Sequence, residues 1–324
     1  MKLRVLVALC GALCVGCSSS PTHHVAPATT TTTSTTVVHP STWHEGPPLP
    51  VAVSEVGVAA AGNVIHVLGG YVAGRAHSTT HLAFDTARNA WSVATPLPAA
   101  LDHIGAASIS GVVYAAGGYG SSGRPTTALY AYDPKTARWA TRAPLPLARA
   151  AAVAVVLDNK LHLIGGKGPS GDVTAHDVYD PATNRWTKAA PLTVARDHAA
   201  AAVVDGKIYV TGGRPGAIAK TEVYDSVTDA WSAGPLLPGP RSSIAGAALD
   251  GAFVVIGGED AGERSVFTTV NRLDPRTNAW TTLAALPLGR QGIGAVVIDG
   301  VLYVPGGGPS AGGAQQADSL FELG

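Results

Sequence analysis

The stretch APLTVARDHAAAAVVDGKIYVTGG, residues 190–213, has a close counterpart in AALPLGRQGIGAVVIDGVLYVPGG, residues 284–307. Both contain an Arg, a run of small residues, an Asp-Gly pair and a double Gly at matching offsets. Each of the 6 Trp residues of the chain is followed, 26 positions later, by such a double Gly. The interval from the second Gly to the next Trp varies between 18 and 22 residues. This period of 45–49 residues predicts a repeat architecture with six copies.

Each copy divides into four predicted strands. In residues 190–213, HAAAAVV and KIYVTGG flank a two-residue Asp-Gly turn, which suits a tight hairpin because both residues tolerate positive φ. After a variable stretch come a Tyr-Asp pair and a Trp six positions beyond the Asp, which predict two further strands joined by a capped turn. The first strand is rich in Ala, Gly and Val, which suits a crowded inner edge, whereas the Trp suits the wide space between neighbouring sheets.

The double Gly, the Tyr-Asp pair and the spaced Trp resemble kelch repeats, the units of a family of β-propellers. The resemblance covers residues 43–324 and implies an all-β fold, a six-bladed β-propeller of four-stranded antiparallel blades. In the sixth copy we interpret Phe321-Glu322 as the counterpart of Tyr-Asp, and no Trp follows it. We therefore expect the strand around Trp43 to complete the last blade and to remove an exposed sheet edge.

The N-terminal segment has the features of an export signal. Two cations in MKLR precede the apolar run VLVALCGALCVG, which is too short to span a bilayer. The sequence LCVGCSSS resembles the bacterial lipobox, so residues 1–17 are predicted to be a signal peptide with Cys17 as the lipidated first mature residue. Cys14 stands where Leu is usual, and an ordinary secretory signal is the alternative. We expect the protein on the outer side of the bacterial cytoplasmic membrane or elsewhere in the envelope, or else secreted.

Residues 18–42 are predicted to be a disordered tether, because Thr, Ser and Pro dominate and almost nothing there contributes to a core. All 3 Cys residues lie within residues 1–17, so no disulfide is expected beyond them. The formal charge is zero, which argues against nucleic acid as a partner and against membrane contact except through a lipid anchor. No glycine loop for phosphate and no metal-ligand spacing is found, so we predict neither a cofactor nor a metal. We expect a monomer.

The loops between blades and the variable loops should share one face, opposite the Asp-Gly turns, and function usually resides in such loops. We call the central opening on this face the mouth. Sixteen positions before each double Gly, blades one and two carry Val53 and Leu101, whereas the other four carry Arg. These are Arg149, Arg196, Arg241 and Arg290. Two interpretations stay open for them: they hydrogen-bond loop carbonyls, or they form an arc that binds an anion at the mouth.

Further polar groups near these positions complete the predicted ligand-binding set. They are Glu55, Asp102, His103 and His198, with Asp197 beside the last. The expected ligand is an anionic carbohydrate, an acidic peptide or a protein. A solvated face is our interpretation for most charged residues of the variable loops: Arg75, His77, Arg124, Lys167, Arg214, Glu259, Asp260 and Arg264. We interpret His66, His162 and His176 as strand residues without a special role.

Three functions are considered from the sequence. The preferred one is a ligand- or protein-binding module at the cell envelope. The alternative is an enzyme similar to the kelch epimerases of the sialic-acid mutarotase type, in which Glu55 or His103 would transfer the proton and the arginines would hold the substrate carboxylate. The second alternative is a structural envelope component. Copper chemistry of the galactose-oxidase type is excluded, because no Cys follows Cys17.

Overall fold

The computed structural model describes residues 42–324. The predicted signal peptide with Cys17, and the predicted tether up to residue 41, lie outside the described residues. Residues 42–324 consist of strands, turns and loops, with short 3-10 turns at Ala73–Arg75 and Ala311–Gly313. No helix in this part of the chain is long and apolar enough to cross a membrane.

Six four-stranded antiparallel sheets form the blades of a propeller, which confirms the predicted fold class. The strands of blades one to three are Gly57–Ala61, Val64–Leu68, His81–Asp85 and Ala90–Val93; Gly105–Ile109, Val112–Ala116, Leu129–Asp133 and Arg138–Thr141; Val153–Leu157, Lys160–Ile164, His176–Asp180 and Arg185–Lys188. Those of blades four to six are Ala200–Val204, Lys207–Thr211, Glu222–Asp225 and Ala230–Ala233; Ala245–Leu249, Ala252–Ile256, Val270–Asp274 and Ala279–Thr282; Val296–Ile298, Val301–Pro305, Leu320–Leu323 and Trp43–Glu45. Two-residue strands in the loops form three ribbons: Tyr71–Val72 with Ala76–His77, Leu101–Asp102 with Tyr119–Gly120, and Lys167–Gly168 with Gly171–Asp172.

The first strands of the six blades lie side by side around the axis. They line a channel of about 420 Å³, mainly with Ala, Val and Gly. Small residues are required because the strands converge: a Cβ on Gly246 would lie 2.6 Å from the carbonyl oxygen of Ala201 in the preceding blade. This confirms the prediction that the Ala- and Gly-rich strand forms the crowded inner edge.

The N-terminal strand closes the ring. Trp43 pairs with Leu323, so that Trp43–Glu45 becomes the fourth strand of blade six, as predicted. The chain continues beside this blade, where the backbone N–H of Gly46 donates to the carbonyl of Leu320 at 2.9 Å. The sheet of blade six is therefore built from both ends of the propeller sequence.

The register of blade six corrects one sequence interpretation. Tyr303 pairs with Glu322, and the equivalent His66 of blade one pairs with Ala83, two residues before the Asp of its repeat. Leu323 thus occupies the Tyr position. Treating Phe321-Glu322 as the Tyr-Asp counterpart was therefore wrong by two residues, since the paired positions place Leu323-Gly324 there.

Each Trp links its blade to the preceding one. Its indole Nε1–H donates to the carbonyl of the residue four positions after the preceding Trp, at 2.7–3.2 Å in all six blades. Trp43 donates to Ala284, four positions after Trp280, and so completes the circle. The repeated Trp therefore supplies both apolar area and a directed bond between blades.

The double Gly allows the next blade to approach closely. Gly165 has a φ of +63°, and a Cβ there would lie 2.5 Å from the carbonyl oxygen of Arg196. The backbone N–H of Gly166 donates to the same carbonyl at 2.8 Å. Glycine is thus required here by both backbone conformation and contact.

Candidate functional site at the mouth of the channel

One residue of each blade surrounds the end of the channel on the loop face. It lies fourteen positions before the first Gly of the pair and adopts the left-handed conformation, with φ between 51° and 59°. Its backbone N–H donates to the carbonyl at the same position of the preceding blade, and Glu55 closes the circle by donating to Gly292 at 2.7 Å. We call these six residues the axial ring: Glu55, His103, Ala151, His198, Ser243 and Gly292. A cavity of about 90 Å³ lies against them.

Three side chains of the axial ring converge. His103 Nε2 lies 3.3 Å from Glu55 Oε2, and His198 Nε2 lies 4.0 Å from the same oxygen. The two imidazole rings meet edge to face with centroids 4.9 Å apart. All three side chains are no more than 9% exposed. We call them the axial trio.

Each histidine of the trio is oriented by the aspartate that precedes it. His103 Nδ1 lies 2.5 Å from Asp102 Oδ1, and His198 Nδ1 lies 2.8 Å from Asp197 Oδ1. The second oxygen of Asp102 contacts His77 Nδ1. Both carboxylates are buried, so each holds its imidazole in one orientation with Nε2 directed at Glu55.

Burial and nearby charges shift the pKa values of the two histidines in opposite directions. Burial alone would lower the pKa of His103, but the negative charges of Glu55 and Asp102 outweigh it and the pKa is raised. Burial, followed by the positive charge of His103, lowers the pKa of His198 to about 3. The charges around the pair therefore favour protonation of His103 over protonation of His198.

A polar pocket of about 300 Å³ adjoins His198 of the trio. Its walls include Tyr119, Lys167, Asp197 and Arg214. Lys167 Nζ lies 2.8 Å from Asp172, and Arg214 pairs with the fully buried Glu259. Burial, with the nearby Asp197, raises the pKa of Tyr119 to about 12, so its hydroxyl stays protonated at neutral pH. The pocket thus presents both donors and acceptors.

The family described as the KLHDC2/KLHL20/DRC7 Kelch-repeats domain matches residues 55–233 and 144–308. The chain belongs to the kelch-repeat family. The solved structure of YjhT is similar to this kelch propeller, with a TM-score of 0.74 at 17% identity over 85% of this chain and 95% of that chain. In all, 826 solved chains match, so likeness of fold does not select one function. None of the curated proteins matches the sequence.

The four repeat arginines lie inside the blades of the kelch propeller and not at its mouth. Each is at most 4% exposed. Arg196 donates to the carbonyls of Gly212 and Lys220 at 3.0 and 2.8 Å and pairs with the buried Glu222 at 2.7 Å. The other three also donate to backbone carbonyls and to one side chain each: Asp177 for Arg149, Asn271 for Arg241 and Ser319 for Arg290. The interpretation as an anion-binding arc is corrected accordingly for Arg149, Arg196, Arg241 and Arg290.

The other predicted residues divide between the mouth and the scaffold. Arg75 lies over the ring of Tyr71, whose ring in turn contacts His103. Arg124 and Arg264 are exposed, and Asp260 caps a turn by accepting backbone N–H groups. The strand histidines form buried pairs, His66 with His81 and His162 with His176, each joined at 2.9 Å.

Sequence reasoning named every member of the axial trio but missed that the three side chains meet. Their spacing of 48 and 95 residues matches no metal or catalytic motif. The available signal was the common offset of fourteen positions before the double Gly, which places one residue per blade at equal height around the axis. Aligning the copies at that offset would have shown that Glu55, His103 and His198 occupy equivalent positions of their blades.

Proposed function

We propose that this kelch propeller is a binding module of the bacterial envelope that takes a small, hydroxyl-rich ligand of carbohydrate size at its mouth. The observation that carries the proposal is the polar pocket beside His198 of the axial trio. Its volume of about 300 Å³ suits a small ligand. Its lining contains both donors and acceptors, as a ligand with many hydroxyl groups requires.

The charges of the pocket favour a polar ligand over a strongly anionic one. With the four arginines inside the blades, the cations at the pocket are Lys167 and Arg214, and each already faces a carboxylate. An acidic sugar would have to displace one of these pairs. Neutral sugars are therefore expected to bind at least as well as sialic acid.

Titration of the purified full chain with a panel of neutral and acidic saccharides tests the proposal. Lys167→Ala should weaken binding about 10- to 100-fold, because a charge-assisted contact contributes about 1.5–3 kcal/mol. The matched control is Lys207→Ala on the opposite face, which removes a similar Lys–Asp pair with a distance of 3.1 Å. Absence of saccharide binding by the folded protein, or an equal effect of both variants, would leave a protein-binding or purely structural role in its place.

One contact favours a second candidate, the epimerase. Glu55 Oε2 and His103 Nε2 are 3.3 Å apart beside the cavity of about 90 Å³, close enough to exchange a proton through a bound hydroxyl. Anomer exchange of sialic acid followed by NMR tests this function. Acceleration that disappears in Glu55→Gln supports it, and an unaccelerated rate with the intact protein excludes it for this substrate.

Export and lipid attachment at Cys17 form part of the proposal. They rest on the lipobox-like LCVGCSSS and the Thr-rich segment after it. Cys17→Ser should move the protein from the detergent phase to the aqueous phase in a phase-partition assay. A variant that stays in the detergent phase would show that the anchor lies elsewhere.

A further inference from the structure

We infer that Glu55, His103 and His198 bind one divalent transition-metal ion of the Zn²⁺ class at the base of the mouth. This inference uses the site of the proposed function but does not require that any sugar binds there. Two imidazole nitrogens and one carboxylate oxygen are ligands that such ions prefer. The ion would lie on the propeller axis, held by blades one, two and four.

The ligand atoms are already near their required positions. One atom from each of the three residues lies within 4.8 Å of the other two. In a tetrahedral zinc site with bonds of about 2.0–2.1 Å, ligand atoms are about 3.4 Å apart. The distance of 3.3 Å between Glu55 and His103 matches this value, and that of 4.0 Å to His198 requires a small side-chain rotation.

The orientation of both histidines is the second observation. Each uses Nδ1 toward a buried aspartate, Asp102 or Asp197, and so directs Nε2 at the common centre. A carboxylate that accepts the second N–H of an imidazole is the usual outer partner of a metal-bound histidine, since it fixes the tautomer and ring orientation. The site has two such partners.

Two other histidine clusters of the described residues show what a structural pair looks like in this fold. In His66–His81 and His162–His176 one ring nitrogen faces the other imidazole, and the second ring of each pair contacts a backbone carbonyl. Neither pair joins a carboxylate with metal-binding geometry. The axial trio differs from both pairs, because it has convergent Nε2 atoms, a central carboxylate and outer aspartates.

The backbone under the trio is strained and fixed. Glu55, His103 and His198 all have φ between 51° and 54°, which is unfavourable for residues with a side chain. Interblade hydrogen bonds at 2.7–3.0 Å hold them in this conformation. Such conformations persist where the surrounding structure imposes them and are concentrated at functional sites.

Three protein ligands leave one position of a tetrahedral ion free. The cavity of about 90 Å³ is bordered by all three ligand residues and offers room for a water molecule or a ligand oxygen at that position. An open fourth position is the pattern of zinc sites that bind or activate a ligand. The ion would thus present an electrophilic contact to whatever enters the mouth.

Metal binding is tested with Zn²⁺ and Co²⁺ on the full chain in detergent, stripped with EDTA. The parent carries His23, His24 and His39 replaced by Asn, so that these three residues outside the propeller cannot bind the ion. We expect one Zn²⁺ per chain in a chelator-competition titration. Bound Co²⁺ should give the intense visible bands of four-coordinate geometry.

Variants of the trio and of its neighbours assign the site. His198→Ala and Glu55→Gln should each weaken Zn²⁺ binding by at least about 100-fold, and Asp197→Asn by about 10- to 100-fold. The matched control is Ser243→Ala, which changes the axial ring at a position outside the trio and should bind within about twofold of the parent. The near-ultraviolet Trp signal verifies folding of each variant.

Several results would overturn the inference. They are a folded parent that binds no stoichiometric Zn²⁺, a Co²⁺ spectrum of six-coordinate aquated ion, or unchanged affinity in both trio variants. Saccharide titrations in EDTA and in Zn²⁺ separate this inference from the proposed function. Sugar binding without metal binding rejects only the metal site, and metal binding without sugar binding rejects only the proposed ligand.

Discussion

Removal of a buried repeat arginine should destabilise the propeller by an amount that depends on the charge of its partner. Arg196 and Glu222 are each 1% exposed and 2.7 Å apart. Arg196→Ala leaves the carboxylate of Glu222 buried without its cation, and breaking such a pair typically costs about 3–5 kcal/mol. Arg241 instead donates to the neutral amide of Asn271 at 2.9 Å, so Arg241→Ala should cost about 1–3 kcal/mol.

Urea unfolding of the full chain, followed by Trp fluorescence, measures both values. Replacing the pair together by apolar residues, Arg196→Met with Glu222→Leu, should recover most of the loss, since no isolated charge then stays buried. The reasoning would be refuted if Arg196→Ala were no more destabilising than Lys207→Ala on the surface. In that event, loss of ligand binding in Arg196→Ala would restore the interpretation as an anion-binding arc.

Three further predictions concern closure, pH and the double Gly. Deleting residues 18–40 should leave the thermal midpoint unchanged. Deleting residues 18–47 also removes the closing strand and should cost at least about 3 kcal/mol. Equal midpoints of the two variants would contradict closure by this strand. Burial and then His81 lower the pKa of His66 to about 4, so unfolding takes up a proton at this residue below about pH 6.5. His66 alone should therefore contribute about 2 kcal/mol to the loss of stability between about pH 7 and 5. Urea midpoints at both values should show a smaller loss for His66→Tyr, and an unchanged loss would disprove this cause. Gly165→Ala should cost about 1–3 kcal/mol more than Gly62→Ala in thermal unfolding. Both glycines have φ near +62°, but only Gly165 faces a close carbonyl. Equal costs would show that this contact does not require glycine.

The fold was predictable because its signals are repeated and local. The constant distance from Trp to double Gly fixes where each blade begins, and the small residues of the first strand mark the inner edge. Closure through Trp43 followed from a missing fourth strand. The register of blade six was not predictable from a two-residue pattern, since Phe321-Glu322 resembles Tyr-Asp while the pairing of Tyr303 with Glu322 depends on the whole sheet.

The site was predictable as a set of residues but not as an arrangement. An offset in the sequence places an arginine near the mouth, yet the direction of its side chain depends on partners in other strands, such as Glu222 for Arg196. The meeting of Glu55 with His103 and His198 requires three blades to be closed around one axis. Contacts of that kind depend on the curvature of the assembled ring, which no single repeat encodes.

The axial ring has a consequence for how the function of such a protein can change. At each of its six positions the backbone N–H and carbonyl are both engaged by neighbouring blades, so the side chain contributes nothing to the circle of bonds. The residues range from Gly292 to Glu55 on the same backbone conformation. The side chain at each position can thus be substituted without a change of the backbone. Six such positions allow many combinations of side chains around the axis. New chemistry can therefore arise here by single substitutions, without any insertion or rearrangement of the blades.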